Sequence, residues 1–578
     1  MASTLSIADF LVETLQSIGI KRVYGLVGDS LNGITEAIRQ RGTPDWVHVR
    51  HEETAAFAAA ADAHLTGQLA VCAGSCGPGN LHLINGLFDA HRSRLPVLAI
   101  AAHIPSAEIG SGYFQETRPQ ELFRECSHYC ELVSSPEQMP RVLEAAIRAA
   151  VGQRGVAVVV IPGDVALMAS PRKTVTPAAG LLPPAPVVVP AAAELNALAR
   201  LLNDSGKVTL LCGRGCVGAH AGLLQLAGKL KAPMVHALGG KEHVAYNNPY
   251  DVGMTGLIGY ASGYQAIMEC DTLLMLGTDF PYRQFYPEQA QIAQVDLRPE
   301  QLGRRCRLSL GIVGDITATL EALLPALQDK PDRTHLDRQL AHYRTVRQEM
   351  DGYAMGVPGR KPIHPQQVAH LLSELASEDA VFTFDVGTPT IWAARYLKVN
   401  GRRRLMGSIV HGSMANALPQ AIGAQSAFPD RQVISLSGDG GFSMLMGDFI
   451  TLVQQKLPVK VVVFNNGTLG FVELEMKAAG LLESGVALDN PDFSAMARAM
   501  GVHALRVEDP GELEGAIRNM LAHPGPALLD VRTNRQELSM PPKIELSQAK
   551  GFSLYVLKAV LGGQGNEVVE LAKTNLLR

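Results

Sequence analysis

Short, uninterrupted apolar runs recur along this chain of 578 residues, and many end in Gly or Asp before a longer helical pattern begins. Examples are GVAVVVIPGD at 155–164, KVTLLCG at 207–213 and RQVISLSGDG at 431–440. Strands of a parallel sheet are buried on both faces, so they lack the polar–apolar alternation of a half-exposed strand. The pattern therefore predicts an α/β fold of doubly wound parallel sheets, with ligands at the carboxyl ends of the strands.

Two stretches rich in Pro and Gly divide the chain. Residues 171–190 contain six prolines and indicate an extended linker. Residues 351–365 follow a charged helical stretch and form a second break. We therefore predict three α/β domains at 1–184, 185–340 and 341–536, followed by a C-terminal helical tail at 537–578.

Charge and composition exclude several classes of function. The 51 basic and 55 acidic residues leave a net charge of −4, and aromatic residues make up only 5% of the chain, so a nucleic-acid partner is not expected. We find neither a secretory signal nor the run of about 18 apolar residues that a membrane-spanning helix needs. The spacing of the eight cysteines favours reduced, packed thiols, which suits a cytoplasmic protein.

The most specific motif is Gly438-Asp439-Gly440, followed after 24 residues by Asn465-Asn466. Glycines at the end of a strand let the backbone approach a phosphate, and the helix N-terminus that follows favours negative charge. Asp439 offers a carboxylate oxygen and Asn466 an amide oxygen, the ligands that Mg²⁺ prefers. The motif therefore predicts a site for a diphosphate and Mg²⁺.

This arrangement resembles that of the thiamine diphosphate enzymes. Those enzymes carry a glutamate that matches Glu52 in HEETAAFA, although an isolated Glu before a helix is usually a partner of the helix dipole. The resemblance implies that Glu52 hydrogen-bonds N1′ of the aminopyrimidine and favours the tautomer that removes the C2 proton. It also implies that Glu52 and the Gly-Asp-Gly half of the site come from different subunits, so at least a dimer is expected.

Further segments extend the resemblance along the chain. Residues 73–103 are similar to the pyrimidine-binding domain of pyruvate oxidases and acetolactate synthases, and GYFQE places Phe114 and Gln115 in the active site. HGSMANALP places Met414 as the bulky residue that bends the cofactor. By resemblance, Asp439, Asn466 and the carbonyl of Thr468 ligate Mg²⁺. The residues expected to border thiamine diphosphate are Gly412, Ser413, Met414, Asp439, Gly440, Gly441, Asn466, Gly467, Thr468, Leu469, Gly470, Phe471 and Val472.

The middle domain carries Gly213, Gly215 and Gly218 in G-x-G-x-x-G order after a strand. This fingerprint is weak alone, and no acidic residue follows about 20 positions later, so an NAD site is doubtful. Later segments resemble the FAD-contacting stretches of flavin-bearing thiamine diphosphate enzymes. The residues this assigns to FAD are Thr255, Gly256, Leu257, Ile258, Thr278, Asp279, Phe280, Pro281, Tyr282 and Asp296. A domain that binds nothing, or a nucleotide regulator, is the alternative.

The tail contains FSLYVLKAVL, an apolar helical segment of ten residues at 552–561. From Asn566 onward, Val568, Val569, Ala572 and Leu576 fall on one side of a second helical pattern. The tail is interpreted either as a helix docked on protein or as an interfacial helix on a membrane. The basic residues that would then meet anionic headgroups are Lys543, Lys550, Lys558, Lys573 and Arg578.

The tail and residues 51–93 resemble the quinone-reducing, peripheral-membrane pyruvate oxidases of bacteria. This implies oxidative decarboxylation of pyruvate to acetate and CO2, with electrons passing from the thiamine-bound enamine through FAD to membrane ubiquinone and Phe471 assisting their transfer. It also implies a cytoplasmic homotetramer that docks on the inner face of the plasma membrane and releases its tail on reduction. The alternatives are a phosphate-dependent pyruvate oxidase, an acetolactate synthase and a non-catalytic nucleotide-binding regulator.

Overall fold

The computed structural model describes residues 5–355, 361–537 and 546–561, together with Val568, Val569, Leu571 and Asn575. The described strands form three six-stranded sheets, and every pair of neighbouring strands within them is parallel. The predicted α/β fold of parallel sheets is confirmed. The domain boundaries remain predictions.

The first sheet has the strand order β2-β1-β3-β4-β6-β5. Its strands are β1 (Arg22–Gly25), β2 (Asp45–His48), β3 (Ala70–Gly74), β4 (Val97–His103), β5 (Tyr129–Leu132) and β6 (Val156–Pro162). Its helices are α1 (Ile7–Ser17), α2 (Asn32–Arg41), α3 (Glu52–Thr66), α4 (Pro78–Arg92), α5 (Pro119–Leu122), α6 (Met139–Gln153) and α7 (Gly163–Leu167), and α8 (Ala178–Leu181) follows in the connection.

The second sheet has the strand order β12-β11-β10-β7-β8-β9, in which the order reverses between β7 and β10. Its strands are β7 (Val208–Cys212), β8 (Met234–His236), β9 (Asp251–Met254), β10 (Thr272–Leu276), β11 (Gln291–Asp296) and β12 (Leu310–Val313). Its helices are α9 (Ala192–Asp204), α10 (His220–Leu230), α11 (Lys241–Val244), α12 (Ala261–Met268), α13 (Ile316–Leu323) and α14 (Thr334–Ala354). This is the order of dinucleotide-binding folds.

The third sheet has the strand order β14-β13-β15-β16-β18-β17, which repeats the topology of the first sheet. Its strands are β13 (Val381–Phe384), β14 (Arg404–Gly407), β15 (Val433–Gly438), β16 (Lys460–Asn465), β17 (His503–Val507) and β18 (Ala527–Arg532). Its helices are α15 (Pro365–Leu375), α16 (Thr388–Tyr396), α17 (Ala417–Ala427), α18 (Asp439–Met444), α19 (Phe449–Gln454), α20 (Gly470–Ala478), α21 (Phe493–Ala499) and α22 (Pro510–Ala522). The tail helix α23 (Leu546–Leu561) comes after this sheet.

Both faces of the first sheet are buried. On β3, Cys72 packs into the core beneath α3 and α4, whereas Val71 and Ala73 pack into a second core beneath α1 and α6. The first of these cores continues through α3 into α17 and the third sheet. Because α3 is rich in alanine, α17 can pack closely against it and join the first and third domains.

The linker prediction was wrong in part. Residues 178–181 form the short helix α8, and Leu181 is buried in the first-domain core. Arg172 and Thr176 both hydrogen-bond the Glu144 carboxylate on α6, at 2.8 and 2.6 Å. This part of the segment is therefore attached to the first domain rather than extended between domains.

Helix α23 begins six residues before the predicted ten-residue segment and packs on α20. Tyr555 and Ala559 on its inner face are buried, and the Lys477 ammonium lies 5.4 Å from the centre of the Tyr555 ring. The outer face exposes three apolar residues, Leu554 (43%), Leu557 (56%) and Val560 (55%). The helix thus has an apolar face toward the protein and a second apolar stripe toward solvent.

The described residues settle only part of the other tail predictions. Val568 packs against the cluster formed by Tyr555, Ala559 and Leu571, whereas Val569 is 50% exposed. The helical pattern predicted that both residues lie on the same side of the helix, and they do not. Lys550 is exposed, and Lys558 donates a hydrogen bond to the Gly480 carbonyl at 2.8 Å. Ala572, Leu576, Lys543, Lys573 and Arg578 lie outside the described residues. Among the helices of the described ranges, none has both the length and the apolar content to cross a membrane.

A buried ionic contact joins all three domains. Glu242 on α11 accepts hydrogen bonds from Arg404 Nε at 3.1 Å and from the Leu405 N–H at 3.0 Å, both on β14. His64 on α3 lies 3.7 Å from the same carboxylate. Burial would raise the pKa of Glu242, but His64 and Arg404 outweigh it and lower that pKa.

We expect Glu242→Gln to lower the stability of the domain junction by about 1.5–3 kcal/mol at neutral pH, because a charged hydrogen-bond acceptor of a buried network is lost. A lowered carboxylate pKa contributes stability above the unfolded pKa of about 4.3, and that contribution is lost as the pH falls through the folded pKa. The difference in the free energy of unfolding between the wild type and Glu242→Gln should therefore become smaller at acidic pH. Denaturant unfolding at neutral and acidic pH, with the exposed-pair variant Glu514→Gln as control, measures this; a pH-independent difference contradicts it.

Candidate active site

Glu52 lies at the carboxyl edge of the first sheet, where β2 is followed by α3. It is the first residue of that helix, and His51 caps the helix by accepting a hydrogen bond from the Glu53 N–H at Nδ1, 3.2 Å. The helix dipole favours a carboxylate here. Glu52 is only 4% exposed, so its position suits both a helix partner and a functional group at the floor of a cleft.

The Glu52 cleft has a volume of about 290 Å³ and opens beside β1 and β3, where the strand order of the sheet reverses. Ligands of open α/β sheets bind at such points. Its lining residues are Leu26, Val27, Arg50, His51, Glu52, Ser75, Cys76, Pro78, Gly79, His82 and Gln115. All of them belong to the first domain.

Two neighbouring residues, His82 and Gly79, determine which oxygen of the Glu52 carboxylate is open to a ligand. His82 Nδ1 on α4 lies 2.9 Å from Glu52 Oε2, and the His82 ring stacks on His51 with centroids 4.2 Å apart. A Cβ added to Gly79 would lie 2.9 Å from Glu52 Oε1, so glycine keeps this oxygen uncovered. One oxygen is held and the other is open, which fits a ring nitrogen that shares a proton with Glu52.

Sequence reasoning missed His82. It lies in the amphipathic helix α4 and has no motif of its own, so only the side-by-side starts of α3 and α4 reveal its role. The predicted Gln115 does reach the cleft, where its Oε1 lies 3.3 Å from Cys76 Sγ. Phe114 does not line the cleft within one chain and is 78% exposed beside it.

Asp439 is the first residue of α18, directly after β15. Its Oδ2 accepts hydrogen bonds from the Gly467 N–H at 2.7 Å and from Asn490 Nδ2 at 2.8 Å, and its Oδ1 lies 2.9 Å from the Gly440 N–H. Burial raises the pKa of Asp439, and these donors offset only part of the rise. The two halves of the Gly-Asp-Gly and Asn-Asn motif therefore meet in space.

The second half of the motif forms the loop between β16 and α20. The Asn466 amide oxygen accepts from the Thr468 N–H at 3.1 Å, and Gly467 has a φ of +71° that favours glycine. The Asp439 carboxylate, the Asn466 amide oxygen and the Thr468 carbonyl thus lie on the two loops that follow β15 and β16. This oxygen donor set fits Mg²⁺.

The other predicted diphosphate-site residues surround these loops. A Cβ added to Gly440 would meet Leu469 at 2.8 Å and the Met414 methyl group at 3.4 Å. Ser413 hydrogen-bonds Asn85 of the first domain at 2.8 Å, while Gly412 and Val472 are exposed. Gly470 begins α20, and the half-buried Phe471 follows it on the edge of the third-domain core.

A further residue of this site, Asp385, was missed because the run AVFTFDVG indicates only a strand end. Its carboxylate accepts hydrogen bonds from the Ala417 N–H at 2.9 Å and the Gly438 N–H at 3.2 Å, which connects α17 to the Gly-Asp-Gly turn. A Cβ on Gly441 would overlap the same carboxylate. Gly441 is therefore required by a protein contact as well as by any phosphate. Burial raises the pKa of Asp385 to about 7.

In the middle domain, the glycine loop after β7 crosses the loop after β10. A Cβ on Gly213 would overlap the Gly277 carbonyl, and one on Gly215 would lie 2.7 Å from Gly277 Cα. These glycines allow two backbones to touch at the strand-order reversal, where dinucleotides bind in this topology. The predicted residues Thr278 to Tyr282 begin beside this crossing.

The remaining residues predicted to bind flavin lie along the same edge of the second sheet. Thr255 Oγ1 is buried and finds no hydrogen-bond partner among the described residues, which fits a polar ligand atom there. Gly256 has a φ of +106° beside the Phe280 ring, and the Ile258 carbonyl accepts from Arg395 Nε at 3.0 Å. Leu257, Pro281 and Tyr282 are exposed.

Two acidic residues complete this set. Asp279 pairs with Arg94 of the first domain at 3.0 Å. Asp296 at the end of β11 is buried and accepts the Arg298 N–H at 3.0 Å, and burial raises its pKa. The unpaired hydroxyl of Thr255 and the glycine crossing therefore fit a flavin dinucleotide in this domain.

Comparison with known proteins matches three domain models of the thiamine pyrophosphate enzymes. The N-terminal thiamine pyrophosphate-binding domain matches residues 5–122, the central domain matches 195–323, and the C-terminal thiamine pyrophosphate-binding domain matches 385–531. The matches fall on the three sheets. The first and third contain the Glu52 cleft and the Asp439 loops.

Three curated relatives extend this result. An uncharacterized 42.6 kDa protein in the isoamylase 3′ region of Pseudomonas amyloderamosa is 72% identical over 351 residues, 61% of this chain and 88% of that protein. The putative thiamine pyrophosphate-containing protein YdaP of Bacillus subtilis is 37% identical over 570 residues, 98% of both chains. The pyruvate oxidase of Lactiplantibacillus plantarum is 30% identical over 527 residues, 90% of this chain and 87% of that enzyme. This chain belongs to the thiamine pyrophosphate-dependent enzymes.

Proposed function

We propose that this enzyme oxidatively decarboxylates pyruvate to acetate and CO2 and passes the electrons through FAD to ubiquinone at a membrane. The observation that carries the membrane part is the outer face of α23, where Leu554, Leu557 and Val560 are exposed in a row. A surface helix with an exposed apolar stripe suits an interface between water and lipid. The pyruvate oxidase among the relatives supports the choice of substrate.

The proposed cofactors are thiamine diphosphate, Mg²⁺ and FAD. When bound, they supply an electron sink for the decarboxylation, a charge that holds the diphosphate and a two-electron acceptor. Asp439, Asn466 and the Thr468 carbonyl would hold the metal. The Thr255 hydroxyl and the crossing of the glycine loop after β7 with the loop after β10 would hold the flavin.

The Glu52 carboxylate would share a proton with the pyrimidine N1′, and its open oxygen, Oε1, is the one available for this contact. His82 Nδ1 hydrogen-bonds the other oxygen and helps to hold the carboxylate in this orientation. Gln115 lies on the wall of the same cleft and is placed to orient the pyruvate carboxylate by hydrogen bonding. Phe114 lies exposed beside this cleft, and water must still reach the acyl carbon, because hydrolysis releases the acetate.

The proposal includes a homotetramer in the cytoplasm that docks on the inner face of the plasma membrane. Among the described residues, those that line the Glu52 cleft all belong to the first domain, whereas the proposed metal ligands lie in the third domain. A second copy of the chain is therefore proposed to supply the diphosphate half of each active site. Phe114, Tyr113 and Val27 are exposed around the cleft and are suited to contact that copy.

We expect Phe471→Ala to slow the reduction of the flavin by pyruvate at least about tenfold, because the ring is proposed to assist electron transfer between the two cofactors. Anaerobic stopped-flow absorbance measures the rate. Phe428→Ala removes a half-buried ring elsewhere in the third domain and should leave the rate unchanged. Equal rates for Phe471→Ala and the wild type contradict the proposed role.

The function is tested by supplying pyruvate, thiamine diphosphate, Mg²⁺, FAD and ubiquinone in aerated phosphate buffer, with and without anionic liposomes. We compare the full chain with a chain that ends near residue 540. Acetate formation that liposomes stimulate only when the tail is present supports the proposal. Acetyl phosphate with hydrogen peroxide indicates a phosphate-dependent oxidase, and acetolactate indicates a carboligase; either product overturns it.

A further inference from the structure

Asn490 lies in the loop before α21 and touches both halves of the metal motif. Its amide nitrogen Nδ2 is 2.8 Å from Asp439 Oδ2 and 3.1 Å from Asn465 Oδ1. An amide nitrogen carries two hydrogens, so one side chain satisfies both acceptors. Neither the sequence motif nor the predicted ligand set includes this residue.

The second acceptor, Asn465, is itself held by two further side chains, one half-buried and one buried. Its Oδ1 also accepts from Arg532 Nη1 at 2.7 Å, and its Nδ2 donates to Asp530 Oδ1 at 2.9 Å. Asn465 and Asp530 are both almost fully buried. The contact of Asn490 with Asn465 therefore attaches the Asp439 carboxylate to the rigid ends of β16 and β18.

The hydrogen bonds at Asp439 determine which of its lone pairs remain open. Oδ2 accepts from the Gly467 N–H and from Asn490, which uses both of its lone pairs. By hydrogen-bond geometry Oδ1 has one donor among the described residues, the Gly440 N–H, while the Asn466 N–H also lies close enough to the carboxylate to lower its pKa. One lone pair of Oδ1 is thus left for a cation.

We propose that Asn490 is a positioning residue that orients Asp439 so that a single oxygen, Oδ1, faces Mg²⁺. This inference rests on the proposed thiamine diphosphate and Mg²⁺ site. Hydrogen bonds to a ligating carboxylate typically change metal affinity by about 10–100-fold. The effect of losing Asn490 should therefore fall on the metal and not on the fold.

The test uses Asn490→Ala in the full chain. We expect the Mg²⁺ concentration that half-saturates thiamine diphosphate binding, measured by calorimetry, to rise about 10–100-fold. The rate constant kcat should return toward the wild-type value at saturating Mg²⁺, and the thermal midpoint of the metal-free protein should stay close to that of the wild type. A side chain that only supports the loop would instead lower the midpoint and leave metal affinity unchanged.

Asn400→Ala is the matched control, because Asn400 also bridges two chain segments of the third domain but lies away from the metal motif. It should not change the Mg²⁺ requirement. If Asn490→Ala binds Mg²⁺ as the wild type does, the inference fails while the proposed function stands. If the wild type itself binds neither Mg²⁺ nor thiamine diphosphate, the proposed function fails first.

Discussion

Glu52→Gln should slow the exchange of the C2 proton of bound thiamine diphosphate by about 10²–10⁴-fold, the usual contribution of a positioned acid–base group. The amide has the size of the carboxylate but cannot share a proton with N1′. The Oε1 position remains open beside Gly79, so the cofactor should still bind. Deuterium exchange at C2, followed by acid quenching and proton magnetic resonance, measures the rate directly.

Two controls show whether the slower exchange is specific to the loss of the Glu52 carboxylate. Glu36→Gln removes an exposed glutamate from α2 and should exchange at the wild-type rate. The thermal midpoint and thiamine diphosphate affinity of Glu52→Gln should remain near those of the wild type. Wild-type exchange in Glu52→Gln would show that another group activates the cofactor.

Replacing both Leu554 and Leu557 by Glu should abolish the proposed binding to anionic liposomes and leave the enzyme folded. Each leucine contributes about 1.5–3 kcal/mol when its side chain leaves water for an apolar environment. Losing two of them weakens association by at least about 100-fold. Both side chains already point toward solvent, so the charges do not disturb the packing of Tyr555 and Ala559 on α20.

The control for charge alone replaces both Val187 and Val189 by Glu, which adds the same two charges at exposed apolar positions in the connection after the first domain. It should bind liposomes as the wild type does. Co-sedimentation with vesicles and the lipid stimulation of activity are the two readouts. Unchanged co-sedimentation of the double variant would exclude the outer face of α23 as the membrane contact.

The long interior strands could be predicted because their burial is visible in their own short stretch of sequence. Strands β4, β6, β10 and β16 are buried along their length, and each appears in the sequence as a continuous apolar run. The edge strands β2 and β17 were not recognised, since they are short and partly exposed and their pairing depends on a neighbour distant in sequence. The short helix α8 was hidden by the prolines around it.

Some residues of the active site could likewise be predicted from the sequence, and others could not. Asp439 and Asn466 belong to a motif whose residue types and spacing predict a diphosphate and Mg²⁺ site, whereas the role expected of Glu52 came only from the resemblance to the thiamine diphosphate enzymes. His82, Asp385 and Asn490 carry no such pattern, because they act through hydrogen bonds that exist only after separate elements meet. Sequence alone also gave no indication that α23 has two apolar faces, since that depends on its docking against α20.

Anaerobic addition of pyruvate to the enzyme loaded with thiamine diphosphate, Mg²⁺ and FAD tests the central claim most directly. We expect the absorbance of oxidised flavin to disappear with one equivalent of CO2 released per flavin, and only when Mg²⁺ and thiamine diphosphate are both present. Flavin that stays oxidised while pyruvate is consumed and acetolactate accumulates would contradict the proposed oxidation.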